Sequence, residues 1–131
     1  MALQPPGQEP GHIQAVQAVI QSASTAWMTG DAEGFATLFT EDGILVVPGD
    51  RWIGHSVIRE VFTDFSQEHS VSVQVKKIVI QNQHAAVEWR WRETDKITGL
   101  SREADDAIFI DFVNGKIKRW REYIDWLSPE G

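Results

Sequence analysis

Two acidic residues stand among apolar neighbours in segments that have the pattern of β-strands. In READDAIFIDF, residues 102–112, the residues of one parity are Ala104, Asp106, Ile108, Ile110 and Phe112. Near the C-terminus, Glu122 shares its parity with Trp120, Ile124 and Trp126. Because successive side chains of a strand point to opposite faces, each acid is expected on the inward, apolar face of a sheet.

An inward carboxylate must be paired, protonated or open to a cavity, because burial of an unpaired charge is prohibitive. An apolar setting raises the pKa of a carboxyl group, and a second carboxyl nearby raises one of the pair further; we expect burial to raise the pKa of Asp106 and Glu122 to raise it further. Such shifts suit general acid and base catalysis near neutral pH, so Asp106 and Glu122 are candidate catalytic residues. The structural alternative is that Asp106 accepts a hydrogen bond from an indole, an arginine or Tyr123, and that Glu122 lies near the open rim of the sheet.

The strands that would carry these acids follow one another in the second half of the chain. Four alternating segments, HSVSVQVKKIVI, HAAVEWRWRET, READDAIFIDF and IKRWREYIDW, are separated by turn sequences such as DKITGL and VNGK. In the second segment, one parity consists of Ala85, Val87, Trp89 and Trp91. Short turns between alternating strands predict an antiparallel meander.

Helical patterns fill the first half of the chain. From His12 to Met28, apolar residues recur at helical spacing. Gly30 suits a C-terminal cap, and Asp31 suits the N-cap of a short second helix that continues through Phe39. The sequence then predicts a turn at EDG, a short strand ILVV that ends at Pro48, and a third helix over the segment that ends at Phe65. Three helices followed by four long strands predict an α+β domain with the helices on one face of a curved sheet.

Composition excludes several classes of function. The 131 residues suffice for one domain with a core. A net charge of −7 argues against a nucleic-acid partner, whose phosphates require a basic face. There is no cysteine, which excludes disulfides and thiolate catalysis. The four histidines, at 12, 55, 69 and 84, have no paired spacing, so no metal site is expected; with no glycine-rich phosphate loop, no cofactor is expected either.

Sequence patterns also give expectations for the N-terminal residues and for the location of the protein. Residues 1–11, MALQPPGQEPG, are rich in Pro, Gly and Gln and are predicted to be a disordered leader, with residues 12–131 forming a single domain. The N-terminus lacks the basic and apolar regions of a signal peptide, and no apolar run approaches transmembrane length. We therefore expect a cytoplasmic protein with no membrane partner.

Several motifs resemble those of the nuclear-transport-factor-2-like superfamily, in particular its SnoaL-like members. The resemblance covers nearly the whole chain from His12, and its most specific parts are the GD between the first helices, the start of the third helix, and the terminal GKI and WREYID segments. It implies a cone: a strongly curved mixed sheet wrapped around a long helix, with two shorter helices and a pocket between them. Members of the superfamily include polyketide cyclases, ketosteroid isomerases, epoxide hydrolases, dehydratases and binding modules without known chemistry.

Comparison of individual positions with these members narrows the choice. SnoaL-type cyclases use an inward Asp on the penultimate strand as general acid/base, and Asp106 fits that position. Glu122 approximately matches the last acid of limonene-epoxide-hydrolase-type members, but their Arg and Asp positions fall on Trp89 and Trp91, and their water-holding positions on Leu45 and Val47. The three catalytic positions of ketosteroid isomerases fall on Ala23, Val47 and Ile108. The resemblance thus favours the SnoaL-type chemistry over the other two.

The sequence therefore predicts binding, and acid/base cyclisation or isomerisation, of a small hydrophobic or aromatic molecule. Besides the two acids, the expected pocket lining consists of Trp27, Leu45, Val47, Trp52, Phe62, Trp89, Trp91, Ile108 and Trp120. The alternatives are a non-catalytic ligand-binding or dimerisation module, and an adaptor that uses the outer face of the sheet. A homodimer through that outer face is expected from the resemblance, with Phe109 as its main apolar residue.

Overall fold

The computed structural model describes residues 9–128. Helices and strands follow in the order α1 (Pro10–Thr29), α2 (Ala32–Ala36), β1 (Phe39–Val47), β2 (Asp50–Ile53), α3 (His55–Glu68), β3 (His69–Gln81), β4 (His84–Asp95), β5 (Ser101–Val113) and β6 (Lys116–Trp126). The strands form one curved sheet in the order β2-β1-β6-β5-β4-β3. Only β1 and β6 pair in parallel, and the other described neighbours are antiparallel. The predicted α+β fold, with helices packed on one face of the sheet, is confirmed.

The first two helices have the caps that their sequences predict. Helix α1 ends at Gly30, whose φ is 70° and whose backbone N–H donates to the carbonyl of Ala26. The carboxylate of Asp31 caps α2 by accepting a hydrogen bond of 2.9 Å from the N–H of Gly34. Helix α1 begins at Pro10, where proline's restricted φ already suits a helix. Residues 1–8 of the predicted leader lie outside the described residues.

The segment after α2 differs from the prediction. The second helix ends at Ala36, and Phe39 begins β1 instead of ending that helix. The EDG sequence lies within β1 as a bulge, because β1 advances from Phe39 to Ile44 while β6 advances only from Ile117 to Arg119. Strand β2, which the sequence pattern did not predict, pairs with the end of β1.

The inward face of the long strands matches the predicted parity. On β5 all five residues of the set that contains Asp106 are buried, and on β4 the set that contains Trp89 and Trp91 is buried as well. These side chains meet α1 and α3, and the largest fully buried members of the core are Trp89, Trp120, Phe35, Phe39 and Phe62. In the described chain, no helix is long and apolar enough to cross a membrane. The cone therefore places the two acids inside, on adjacent strands.

Candidate functional site

A cavity of about 240 Å³ lies between the sheet and the helices. Its lining comes from α1, α3 and every strand except β3: Trp27, Leu45, Val47, Trp52, Val61, Phe62, Phe65, Trp91, Glu93, Arg102, Asp106, Glu122, Ile124 and Trp126. Trp27 anchors the helical side, since its ring stacks on Phe62 with centroids 4.0 Å apart and meets Trp91 edge-on at 5.0 Å. Most of the wall is aromatic or aliphatic, which is the usual make-up of a small-molecule site.

The cavity brings together most of the residues that the sequence singled out. Both acids line it, as do Trp27, Leu45, Val47, Trp52, Phe62 and Trp91. The expected lining residues Trp89, Ile108 and Trp120 do not; each is 0% exposed and lies in the core beyond the wall. The rings of Trp89 and Trp120 contact each other there, with centroids 5.6 Å apart. Strand parity identifies the face of a side chain but not its depth along the cone.

Asp106 is a buried carboxylate with one oxygen committed and one free. It is 3% exposed and lies directly opposite Trp89, whose indole N–H donates a hydrogen bond of 3.0 Å to Oδ2. Oδ1 is buried and has no hydrogen-bond partner among the described residues. Burial raises the pKa of Asp106 to about 6, with smaller upward contributions from the charges of Asp105 and Glu93, while the Trp89 hydrogen bond opposes the rise.

Glu122 occupies the adjacent strand, diagonal to Asp106. Asp106 lies opposite Ile124 and Ile108 opposite Glu122, so the two acids share one face at a separation that long side chains can span. The indole N–H of Trp120 donates a hydrogen bond of 2.8 Å to Oε1 of Glu122. Burial, and then the charge of Asp106, raise the pKa of Glu122 to about 8. At neutral pH, Asp106 is therefore mainly a carboxylate and Glu122 mainly a neutral acid.

The acid whose pKa is raised more is not the one that the sequence suggests. From the sequence, Asp106 is the group whose pKa a neighbouring carboxyl should raise, but the larger rise falls on Glu122. Asp106, whose pKa is raised less, ionises first as the pH rises, and its negative charge then opposes ionisation of Glu122. The structure thus supplies one potential base and one potential acid from two residues of similar chemistry.

Two charged residues of the lining were not predicted from the sequence. Glu93 is 5% exposed; it accepts a hydrogen bond of 2.9 Å from the indole of Trp91 and lies 3.3 Å from Nε of Arg102 and 3.6 Å from Nε2 of His69. Strand parity could have identified both residues. Glu93 has the same parity as Trp89 and Trp91, and Arg102 has the same parity as Asp106. The other unpredicted lining residues are Val61, Phe65, Ile124 and Trp126.

The cavity offers few polar groups to a ligand. The indole N–H of Trp27 is buried without a partner in the described chain, as is Oδ1 of Asp106. Together with Glu122, they provide a donor, an acceptor and a protonated acid inside an apolar wall. Residues 9–128 contain no group of three His, Asp or Glu residues arranged to hold a metal ion. The side chains of the cavity can bind a ligand and transfer protons.

Comparisons with known proteins identify the same type of domain. Residues 20–120 match the SnoaL-like domain family. Among solved structures, an NTF2-like protein from Burkholderia xenovorans is 23% identical, with a TM-score of 0.72 over 86% of this chain and 90% of that chain. A provisionally named polyketide cyclase from a Silicibacter species is 20% identical, with a TM-score of 0.76 over 86% and 90% of the two chains.

An epoxide hydrolase of the limonene-epoxide-hydrolase-like type from M. tuberculosis is 15% identical, with a TM-score of 0.77 over 88% of this chain and 86% of that chain. At these identities the likeness concerns the fold, which hosts several chemistries. No curated protein sequence matches the chain significantly.

Proposed function

This chain belongs to the SnoaL-like domain family, within the nuclear-transport-factor-2-like superfamily, and on that premise we propose that its pocket binds a small hydrophobic or aromatic molecule and converts it by acid/base catalysis. The observation that carries the proposal is the pair of buried carboxyl groups in one aromatic cavity, with pKa values of about 6 for Asp106 and about 8 for Glu122. Groups of opposite protonation state in one site are the requirement for concerted proton transfer.

The reaction class that suits this pair is proton abstraction next to a carbonyl group. Oδ1 of Asp106 takes a proton from the carbon beside the carbonyl, while the carboxylic acid of Glu122 donates a hydrogen bond or its proton to the carbonyl oxygen. In an isomerisation, Asp106 returns its proton to another carbon while Glu122 recovers any proton that it gave to the oxygen. In a cyclisation, the enol carbon instead attacks a second carbonyl, whose oxygen takes the proton held by Asp106 as the ring closes and Glu122 recovers its own. Trp89 holds Oδ2 of Asp106 and so keeps Oδ1 directed to the ligand.

A specific observation also supports the second candidate, a non-catalytic ligand-binding module. Both acids accept an indole N–H, so each also has a structural partner that would explain its burial. Epoxide hydrolysis is not part of the proposal. The positions that hold the reacting water in that type of enzyme correspond here to Leu45 and Val47, which present apolar side chains to the cavity.

Solvent-exchange measurements on a carbonyl probe test the proposal without a known substrate. β-Tetralone, a small aromatic ketone, is incubated with the protein in heavy water, and loss of its acidic C–H signals is followed by proton NMR. We expect the wild-type protein to accelerate exchange over buffer, and Asp106→Asn to lose the acceleration by roughly a hundredfold, because the base is removed. Ketone binding, followed by tryptophan fluorescence, should persist.

Asp125→Asn is the matched control, since Asp125 is exposed on β6 and makes no contact with the cavity. It should exchange the probe at the wild-type rate. Binding without acceleration in the wild-type protein would favour the non-catalytic module. Absence of binding would contradict both candidates.

A further inference from the structure

We infer that Arg102 is an anion-binding residue at the mouth of the pocket, so that the ligand is a small hydrophobic or aromatic carboxylate. The inference rests on the proposed function, because it assigns a substrate class to the same pocket. Arg102 is the only cationic side chain in the cavity lining described here. The guanidinium of Arg102 can therefore select a negatively charged ligand, while the aromatic wall contacts the apolar part of that ligand.

Exposure places Arg102 at the opening of the cavity. Its side chain is 61% exposed, and Trp126 beside it is 39% exposed, whereas Asp106 and Glu122 are 3% and 8% exposed. The lining thus changes from carboxyl groups in the interior to a guanidinium at the entrance. A ligand that fills the cavity would leave one end near Arg102.

Two contacts hold the guanidinium in position. Its central carbon lies 3.6 Å from the centroid of the Trp126 ring, and its Nε lies 3.3 Å from Oε2 of Glu93. Glu93 is itself held by the indole of Trp91. A planar cation stacked on an indole is pre-organised, so it loses little conformational entropy when it binds a second group.

The guanidinium nevertheless keeps its hydrogen-bonding capacity. No side-chain N–H of Arg102 donates a hydrogen bond to any residue from 9 to 128; the contact with Glu93 is an ion pair alone. Arg90, by comparison, donates two hydrogen bonds to Asp105. Five N–H donors on a fixed plane match the two oxygens of a carboxylate, which a guanidinium binds through paired hydrogen bonds.

The charges that face Arg102 leave room for an anion. Glu93 neutralises part of the guanidinium charge, and Nε2 of His69 lies 3.6 Å from the same carboxylate oxygen, Oε2. Arg102 also lines a second groove, called here the outer groove, together with Arg90, Arg92, Ser101, Glu103, Leu127 and Ser128. Arg92 is exposed and makes no ion pair in the described chain, whereas Arg90 is paired with Asp105 and Glu103. The outer groove therefore contributes one unpaired positive charge near Arg102.

The test compares two probes that differ only at the polar end, cinnamate and cinnamyl alcohol, by isothermal titration calorimetry with the full chain. We expect the wild-type protein to prefer cinnamate by about tenfold, the gain that a charge-assisted hydrogen bond typically gives. Arg102→Gln should abolish the preference and leave the affinity for cinnamyl alcohol unchanged. Arg102→Lys, which keeps the charge without the planar fork, should retain only part of it.

Arg92→Gln is the control, because it removes a neighbouring positive charge that lies in the outer groove and not in the cavity lining. It should keep the wild-type preference. Equal binding of both probes by the wild-type protein would overturn the inference and leave the proposed pocket intact. An equal loss of preference in Arg92→Gln would also overturn it, because the outer groove would then be the anion site. If neither probe binds, the proposed function fails and the inference fails with it.

Discussion

Three carboxyl groups of this pocket are each paired with a tryptophan. Trp89 donates a hydrogen bond to Asp106 on the adjacent strand. Trp91 donates to Glu93, and Trp120 to Glu122, two residues further along the same strand. An indole has one N–H and accepts nothing, so each pairing occupies one carboxyl oxygen. The second oxygen of Asp106 has no partner in the described chain, whereas that of Glu93 faces Arg102 and His69. Each tryptophan thus fixes the orientation of one acid through a single oxygen.

The pH dependence of stability should report the state of Glu122. Its pKa of about 8 lies above the ordinary 4.5, so the folded protein holds a proton that the unfolded chain releases. This contribution to stability is complete below the unfolded pKa and is lost as pH rises through the folded pKa. We expect urea unfolding of the wild-type protein to show a loss of about 2 kcal/mol from about pH 6 to pH 8.

Glu122→Gln cannot titrate, so its stability should fall much less over the same range. Glu88→Gln provides the comparison, since Glu88 is exposed on the outer face of β4 and should follow the wild-type curve. A Glu122→Gln curve parallel to that of the wild-type protein would show that Glu122 does not titrate in this window.

At the scale of elements, the junction of β1 with β6 forms part of the pocket wall. The bulge after Phe39 precedes the segment in which Leu45 and Val47 face the cavity. Gly43 lies in the bulge, where a Cβ would come within 2.9 Å of Cβ of Phe39 and 3.0 Å of the carbonyl oxygen of Ile117. The backbone therefore approaches its neighbours too closely for a side chain.

Gly43→Ala should destabilise the protein by about 1–3 kcal/mol, because one of the two contacts must give way in a packed region. Gly11→Ala is the control: nothing lies within 4 Å of the position that its added methyl group would occupy, and it sits in the first turn of α1. That variant should be neutral or slightly stabilised, since alanine favours a helix. Denaturant midpoints measure both effects, and equal midpoints for the two variants would contradict the close-contact argument.

At the scale of the whole molecule, the outer face of the sheet carries an aromatic pair. Phe109 is 53% exposed and Tyr123 is 50% exposed, and their rings meet edge-on with centroids 5.8 Å apart. Val79, 52% exposed, lies beside Phe109 in a shallow groove on the same face. We propose that this face forms an isologous homodimer, in which the same patch serves both subunits.

Light scattering tests this proposal at micromolar concentrations and above. The wild-type protein should have the mass of a dimer, and Phe109→Asp should have that of a monomer, because a charge would be buried at the centre of the patch. Leu100→Asp changes an equally apolar residue that is 74% exposed in the β4–β5 turn, and it should remain dimeric. A wild-type monomer at all concentrations would refute the proposal.

Local pattern was sufficient for most of the elements and for the face on which each side chain lies. Helical spacing and the Gly30 and Asp31 caps predicted the first two helices, and strand alternation placed Asp106 and Glu122 inside the sheet. These properties depend on residues that are only a few positions apart, because the backbone geometry of a helix or strand repeats over that distance. The presence of an inward acid on two neighbouring strands therefore followed from the sequence.

The depth of a side chain in the fold, the register between strands and the protonation of the two acids depend on residues that are distant in the chain. Trp89 and Trp91 have the same parity, yet the curvature of the sheet buries the first in the core and brings the second to the cavity. The pairing of Glu93 with Arg102 arises from the β4–β5 register, and the close approach of Gly43 to Ile117 from the pairing of β1 with β6. Which acid keeps its proton depends on how far each is removed from water and on the charge beside it, and both are set only when the strands and helices close around the cavity.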